Sequence, residues 1–405
     1  MIKFFKPIVE KNKITYPIHF IDQTVKITHE YLTKEQFQLN TNIEAIIAPY
    51  VSIAICNRIP IVSEEPIDKL FYDNLMKMPA IYHKHCEDLS KLNGGVFSLK
   101  IDAPVIKKTP KIESTRCATA MSGGVDCIYT LIKKQDQITD LFYVIGYDID
   151  ECKLNQKWIK EVVNLNTKIA NKFNKNLIIC RSNLLCHIKE LSKKYYGSSW
   201  AIYTVGGGIA SIIYPLNFNK LLISGDGTGI DKHKTSYICG LFYDNLYTSN
   251  ILKVEHYDIV TRWEKVHAIA KYDPTLLANL RFCIKYTDKD GLNCGKCVKC
   301  VRTYIMLYLL GLGKYVEIKG VNDVNYLTWI DDFLKETSWS CFCPQIRHLL
   351  NNYDPITKTT HIDDPPKPVK KPIVKKTKIK KNVPTKNPTI IKENKVLIPI
   401  VKTKY

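Results

Sequence analysis

The sequence predicts an α/β protein built on a parallel, doubly wound sheet, and three observations predict it. From Ser114 onward, short apolar runs alternate with longer stretches whose apolar residues recur at helical spacing. One joint between such a run and a helix is a glycine pair, in SGGVDC. Beyond the alternating region, LNCGKCVKC carries cysteines at C-x-x-C-x-x-C spacing, the pattern of a metal knuckle.

The chain has 405 residues, enough for two folded domains. Hydrophobic residues make up 45% and charged residues 24%. Those shares match globular proteins, so a packed body is expected over most of the length. Residues 1–112 form an expected N-terminal α+β lobe, rich in strands. KITYPIHFI, TVKITH and GGVFSLKI are β-branched runs, AIIAPYVSIAI is an apolar segment, and NRIP and NGG mark turns.

Residues 113–352 form the expected main domain. STRCATAM reads as a strand, SGGVDC as a loop and VDCIYTLIKK as the start of a helix. DLFYVIGYDI, NLIICRSN and KLLISGDG read as further strands, with helices between them. A strand-helix alternation buries a parallel sheet on both faces. TRWEKVHAIAKY opens a later helix, with Thr261 as N-cap and Glu264 three residues on as its capping-box partner. Another helix is expected from about Lys299 to Leu310.

Residues 353–405 read as a disordered Lys/Pro-rich tail. From Pro365 it is nearly all Lys, Pro, Val, Ile and Thr, with Glu393 the only acidic residue. Such a stretch buries too little apolar surface to offset ordering entropy. Much of the formal net charge of +20 sits there, which suits non-specific binding of nucleic acid by charge alone. The 14 cysteines in a large chain opening MIKFFKPIVEKNK, without a signal-peptide core, point to a reducing, cytoplasmic setting. The longest apolar runs fall short of a membrane span.

A glycine loop between a buried strand and a helix presents backbone N–H groups to an anion, and the helix dipole adds to the attraction. Gly123 and Gly124 admit phosphate oxygens close to the backbone, Ser122 adds a hydroxyl, and Asp126 is positioned to hold Mg2+. The Walker spacing and its lysine are missing. Downstream, Cys283, Cys294, Cys297 and Cys300 offer four soft ligands, a closed tetrahedral set that favours structural Zn2+. An iron–sulfur cluster uses similar ligands.

SGGVDC resembles the signature SGGxDS of the PP-loop (ATP pyrophosphatase) superfamily. The order of motifs, a PP-loop early and CGKCVKC late, resembles the 7-cyano-7-deazaguanine synthase branch of queuosine biosynthesis. The chain is also similar to a group of bacterial and viral proteins with an added N-terminal lobe and the patterns LR-x-C and NCG-x-C-x-KC-x-RT.

That resemblance implies an adenine nucleotide alpha hydrolase-like sheet and an ATP-dependent adenylating ligase or synthase. Such an enzyme splits ATP into AMP and pyrophosphate, and activates a carboxylate or amide oxygen for attack by ammonia, an amine or sulfur. It implies catalytic roles for Ser122 and Asp126. It implies nucleotide contacts from Ser122, Gly123, Gly124, Val125, Asp126, Cys127, Gly146, Asp148, Asn183 and Arg262, with Ser182, Lys265 and Gly206 to Gly208 also near the pocket. Each of these also has an ordinary reading, the glycines as packing residues and Arg262 as a partner of Glu264. Cys127 departs from the signature, which has Ser there, and replaces a hydroxyl contact by a weaker thiol one.

Lys234 is a further candidate phosphate contact. Two other functions stay open. A tRNA-thiolating enzyme needs a reactive cysteine, with Cys127, Cys186 and Cys239 the candidates. An adaptor would keep the scaffold without turnover and bind nucleic acid through its tail.

Overall fold

The computed structural model describes residues 1–33, 35–85, 96–110, 114–147, 156–196, 204–225, 239–283, 292–295, 297–315, 353–354 and 359–360. Met1–His361 forms one compact unit. Residues 362–405, which hold most of the expected tail, lie outside the described residues.

The strands are β1 (Ile2–Phe4), β2 (Ile8–Glu10), β3 (Lys13–Phe20), β4 (Gln23–Tyr31), β5 (Ile61–Ser63), β6 (Ile67–Asp68), β7 (Ile101–Asp102), β8 (Val105–Ile106), β9 (Cys117–Ala120), β10 (Asp140–Ile145), β11 (Asn176–Ser182), β12 (Lys220–Ser224), β13 (Lys253–Tyr257), β14 (Tyr353–Asp354) and β15 (Thr359–Thr360). The helices are α1 (Glu44–Ile47), α2 (Val51–Asn57), α3 (Lys69–Leu75), α4 (Met78–His85), α5 (Val125–Lys133), α6 (Gln156–Phe173), α7 (Leu184–Tyr196), α8 (Val205–Ile213), α9 (Cys239–Tyr243), α10 (Arg262–Tyr272) and α11 (Val298–Leu309).

A large, mostly parallel sheet organises the protein, in the order β13-β12-β9-β10-β11-β4-β3-β1-β5-β7, with β2 paired to β3. The block from β13 to β11 is parallel throughout. β10 lies inside it, between β9 and β11, and is buried along its whole length. Its residues alternate between the two faces of the sheet. Phe142 and Val144 pack with the N-terminal strands, whereas Leu141, Tyr143 and Ile145 pack with the helices of the other face.

The N-terminal segment does not keep its strands to itself. β4 pairs antiparallel with β11, placing Ser182 opposite His29 and Cys180 opposite Tyr31. β3 alternates buried Ile14, Tyr16, Ile18 and Phe20 with half-exposed residues, as a one-sided strand must. Those buried side chains join Ala118, Phe142 and Leu221 in one core. AIIAPYVSIAI folds as α1, a tight turn at Pro49 and α2, buried on nearly every side, so its apolarity shows no period.

The helices expected at VDCIYTLIKK and TRWEKVHAIAKY form as α5 and α10. Thr261 and Glu264 make the reciprocal capping box. β13 had no counterpart in the sequence reading. It is an edge strand whose Lys253 and Glu255 dilute the apolar pattern, leaving only Val254 buried. Tyr353–Asp354 and Thr359–Thr360, inside the segment expected as tail, pair as a short antiparallel ladder. No helix among the described residues is long and apolar enough to cross a membrane.

Candidate functional site

Strand order reverses at β9, which has β10 on one side and β12 on the other. In open parallel sheets the crevice at the carboxyl end of such a strand is where ligands bind. The glycine loop occupies that position. Met121 continues β9 by donating its N–H to Phe142 O at 2.7 Å. Gly123 then turns with φ +78°, a left-handed conformation that a side chain resists.

Three consecutive carbonyls of the loop are held from one side. Asn166 Nδ2 donates to Met121 O at 3.0 Å, Arg281 Nη1 to Ser122 O at 2.9 Å, and the Arg281 backbone N–H to Gly123 O at 2.8 Å. Gly124 is the N-cap of α5 and has no side-chain cap. Among the described residues no acceptor is seen for the Gly123 N–H, whereas the Gly124 N–H faces the Cys127 sulfur and helps to lower that thiol's pKa.

Asp126 stands in the first turn of α5, and Val125 beside it is fully buried in the helix packing. The Asp126 Oδ2 accepts from Arg262 Nη1 at 3.0 Å and its Oδ1 from Lys265 Nζ at 3.2 Å. Burial acts to raise the pKa of this carboxyl, but Arg262 and Lys265 outweigh it and hold the group below the usual range. Both cations come from the first turns of α10, three residues apart. Arg262 Nε also donates to Thr303 Oγ1 on α11 at 3.2 Å.

Lys265 is completely buried. It is tolerable there because it donates to Gly225 O and lies 2.9 Å from a second carboxylate, Asp258. Asp258 has φ +72° and sits just past β13. Burial pushes its pKa up, with Lys265 opposing. The loop mouth thus holds two carboxylates and two cations in one connected group.

Cys127 is buried, and burial raises its thiol pKa. Its Sγ donates to Gly124 O at 3.1 Å and lies 3.7 Å from Ser122 Oγ. In this setting the thiol is a weak nucleophile. Cys186 is half-buried. The side chain of Cys239 lies outside the described residues.

The four expected metal ligands meet. The sulfurs of Cys283, Cys294, Cys297 and Cys300 all lie within 4.8 Å of one another and all four residues are buried. Cys283 and Cys297 are 3.8 Å apart and Cys294 and Cys300 4.0 Å. A tetrahedron with Zn–S bonds of about 2.3 Å has edges of about 3.8 Å, so the set fits a metal such as zinc. Gly295 turns the knuckle at φ +70°. Hydrogen bonding with Cys297 pushes the Cys283 thiol up to about 12. A divalent cation removes that difficulty by binding thiolates.

The remaining expected residues are more scattered. Gly146, at φ +89°, follows the carboxyl end of β10, on the same edge of the sheet as the loop. Asp148 and Lys234 lie outside the described residues. Asn183 spends its amide on β4, accepting from Thr28 N–H at 2.8 Å and donating to Lys26 O at 2.9 Å. Ser182 bonds His29 Nδ1 at 2.9 Å inside the core. Gly206, Gly207 and Gly208 serve packing. A Cβ there would stand 1.8 Å from Asp244 Oδ1, 2.4 Å from Ala48 O and 2.5 Å from the Tyr147 hydroxyl, respectively.

Arg281, Asn166 and Asp258 belong to the site without having been singled out by sequence. Only Arg281 had a signal, its place in the LR-x-C pattern. A cavity of about 790 Å³ lined by residues such as Asn40, Lys108, Tyr214 and Asn219 lies at the amino ends of β9 and β12, and no expected site residue lines it. No family model, curated protein or solved structure matches the chain.

Proposed function

We propose that this chain is an ATP-dependent adenylating enzyme with a doubly wound domain of PP-loop type. The observation that supports it best is the glycine loop at 122–124, with the Gly123 amide unengaged among the described residues and the Gly124 amide facing only a weak thiol acceptor, at the carboxyl end of the strand where sheet order reverses. Those amides and the dipole of α5 favour a phosphate group, and Arg262 adds a charge-assisted donor. ATP held there would supply an adenylyl group to a carboxylate or amide oxygen, with pyrophosphate leaving and ammonia, an amine or sulfur then displacing AMP.

The residues present fit a polyphosphate better than a bare Mg2+. Both oxygens of Asp126 already accept from cations, so a magnesium ion reaches that carboxylate only by sharing it with Arg262 or Lys265. Asp126 first holds these cations at the loop, and Ser122 offers its hydroxyl. The cysteine cluster is assigned to structural zinc, since four sulfurs leave no open coordination position. The Lys/Pro-rich tail is assigned to non-specific nucleic-acid binding.

A test is to incubate the full chain with ATP and magnesium, in the presence of small carboxylates or bulk tRNA. AMP and pyrophosphate are the expected products, and ADP counts against the assignment. Asp126→Ala abolishes AMP release, whereas removal of the residues after Asp364 leaves it intact and weakens salt-sensitive polyanion binding. One observation favours a second reading, a nucleotide-binding adaptor without turnover: the engagement of Asp126 by two cations. ATP binding without AMP or ADP would select it.

A further inference from the structure

Arg281 is bonded to the loop twice, through its backbone N–H to Gly123 O and through Nη1 to Ser122 O. A trans peptide sets its N–H opposite its C=O. Holding Ser122 O therefore turns the Gly123 N–H away from Arg281, and holding Gly123 O does the same for the Gly124 N–H. The first of these amides finds no acceptor among the described residues, and the second faces only the Cys127 sulfur, a weak acceptor. One residue decides which way the phosphate-facing amides point.

Arg281 is itself held by the metal knuckle. Its guanidinium lies 5.0 Å from the ring centroid of Trp158, and Cys283, two residues on, is one of the four clustered cysteines. Asn293, next to Cys294, accepts from Phe282 N–H at 3.0 Å and Cys283 N–H at 3.3 Å and donates to Leu280 O at 2.8 Å. Residues 280–283 are thereby fastened to the side of the knuckle that carries Cys294. A metal bridging the four thiols would tie Cys283 to Cys294, Cys297 and Cys300 and so brace these bonds from both ends.

We infer that Arg281 is the positioning residue of the glycine loop and that it makes the affinity of the loop for a polyphosphate depend on metal in the four-cysteine cluster. This rests on the phosphate-binding reading of the loop. The effect has a direction. Metal bound at the cysteines favours the amide arrangement that grips phosphate, and by linkage phosphate at the loop favours metal retention.

The experiment uses the full chain in four forms: zinc-loaded, chelator-treated, chelator-treated with zinc restored, and zinc-loaded Arg281→Gln. Inorganic pyrophosphate is the probe, with binding measured by calorimetry. Amide hydrogen exchange is followed over residues 119–128, and over β10 as a control for general unfolding. Expected are a tenfold or greater loss of pyrophosphate affinity in the chelated and Arg281→Gln forms, about the worth of one charge-assisted hydrogen bond. Exchange quickens at 119–128 but not in β10, and zinc restores both readouts. Arg281→Lys, which keeps the backbone bond and the charge, retains part of the affinity.

Unchanged loop exchange in the chelated and Arg281→Gln forms overturns the inference, whatever happens to binding. Equal pyrophosphate affinity in all forms also overturns it while leaving the phosphate reading standing. Loop exchange that responds to zinc and to Arg281→Gln in a protein that binds no pyrophosphate sinks the phosphate reading instead, and leaves Arg281 as the link between knuckle and loop.

Discussion

Gly123 and Gly124 are neighbours in a glycine pair, yet the structure gives them different tolerance for a methyl group. Gly123 has φ +78°, and a Cβ on it would stand 2.9 Å from Leu165 Cδ2. The left-handed backbone costs an alanine about 1–2 kcal/mol. The contact adds about 1 kcal/mol or somewhat more, at the low end for overpacking, because the tip of a leucine can shift. Gly123→Ala should therefore cost about 2–4 kcal/mol. Gly124 has φ −83°, and its Cβ would stand 3.3 Å from Ser122 Oγ and 3.5 Å from Arg281 O.

For Gly124→Ala the reduced freedom of the unfolded chain offsets the loss at the N-cap, so the change should stay within about 1 kcal/mol of wild type. Equilibrium unfolding in urea, comparing midpoints at a common slope, measures both variants. Equal costs for the two, or a Gly123→Ala variant within about 0.5 kcal/mol of wild type, would refute the loop geometry and with it the direction assigned to the amides.

Lys265→Met strands the Asp258 carboxylate in the core and should destabilise by about 3–5 kcal/mol, with the double variant Lys265→Met/Asp258→Asn recovering part of the loss. Recovery measured by denaturant unfolding is the check, and strict additivity speaks against the pairing. His29, buried between Ser182 and Ser211, has its pKa lowered by burial from 6.5 to about 3. The unfolded chain takes up that proton first, so the contribution of His29 is complete above pH 6.5 and is lost as pH falls toward 3. The loss is on the order of 4 kcal/mol, and His29→Gln should flatten stability between about pH 6 and 4. The cysteine cluster should hold one metal per chain by elemental analysis, and chelation should lower the melting temperature. Visible absorbance from an iron–sulfur cluster would displace zinc from the assignment.

Much of this protein is legible along the chain because its causes are local. The period of apolar residues from Cys117 to Ser224 marks strands and helices, since a buried parallel strand and an amphipathic helix each impose a pattern on adjacent residues. Thr261 and Glu264 announce a helix start because both partners of the capping box lie within one turn. The spacing of Cys294, Cys297 and Cys300 announces a knuckle because two intervening residues suffice to bring thiols onto one ion.

Other features exist only through long-range contact. Nothing near Asn183 says that its amide will clasp the backbone of β4, 155 residues away, and the three glycines at 206–208 become packing residues only when Asp244, Ala48 and Tyr147 arrive. The N-terminal strands extend the main sheet because β4 finds the open edge of β11, a pairing between distant segments that no local pattern encodes. Asp126 acquires Arg262 and Lys265, and the loop carbonyls acquire Arg281, by the same means. Local chemistry determined which groups are available to bind, and tertiary packing decided which are already taken, because a hydrogen bond or ion pair depends on distance in space and not on separation along the chain.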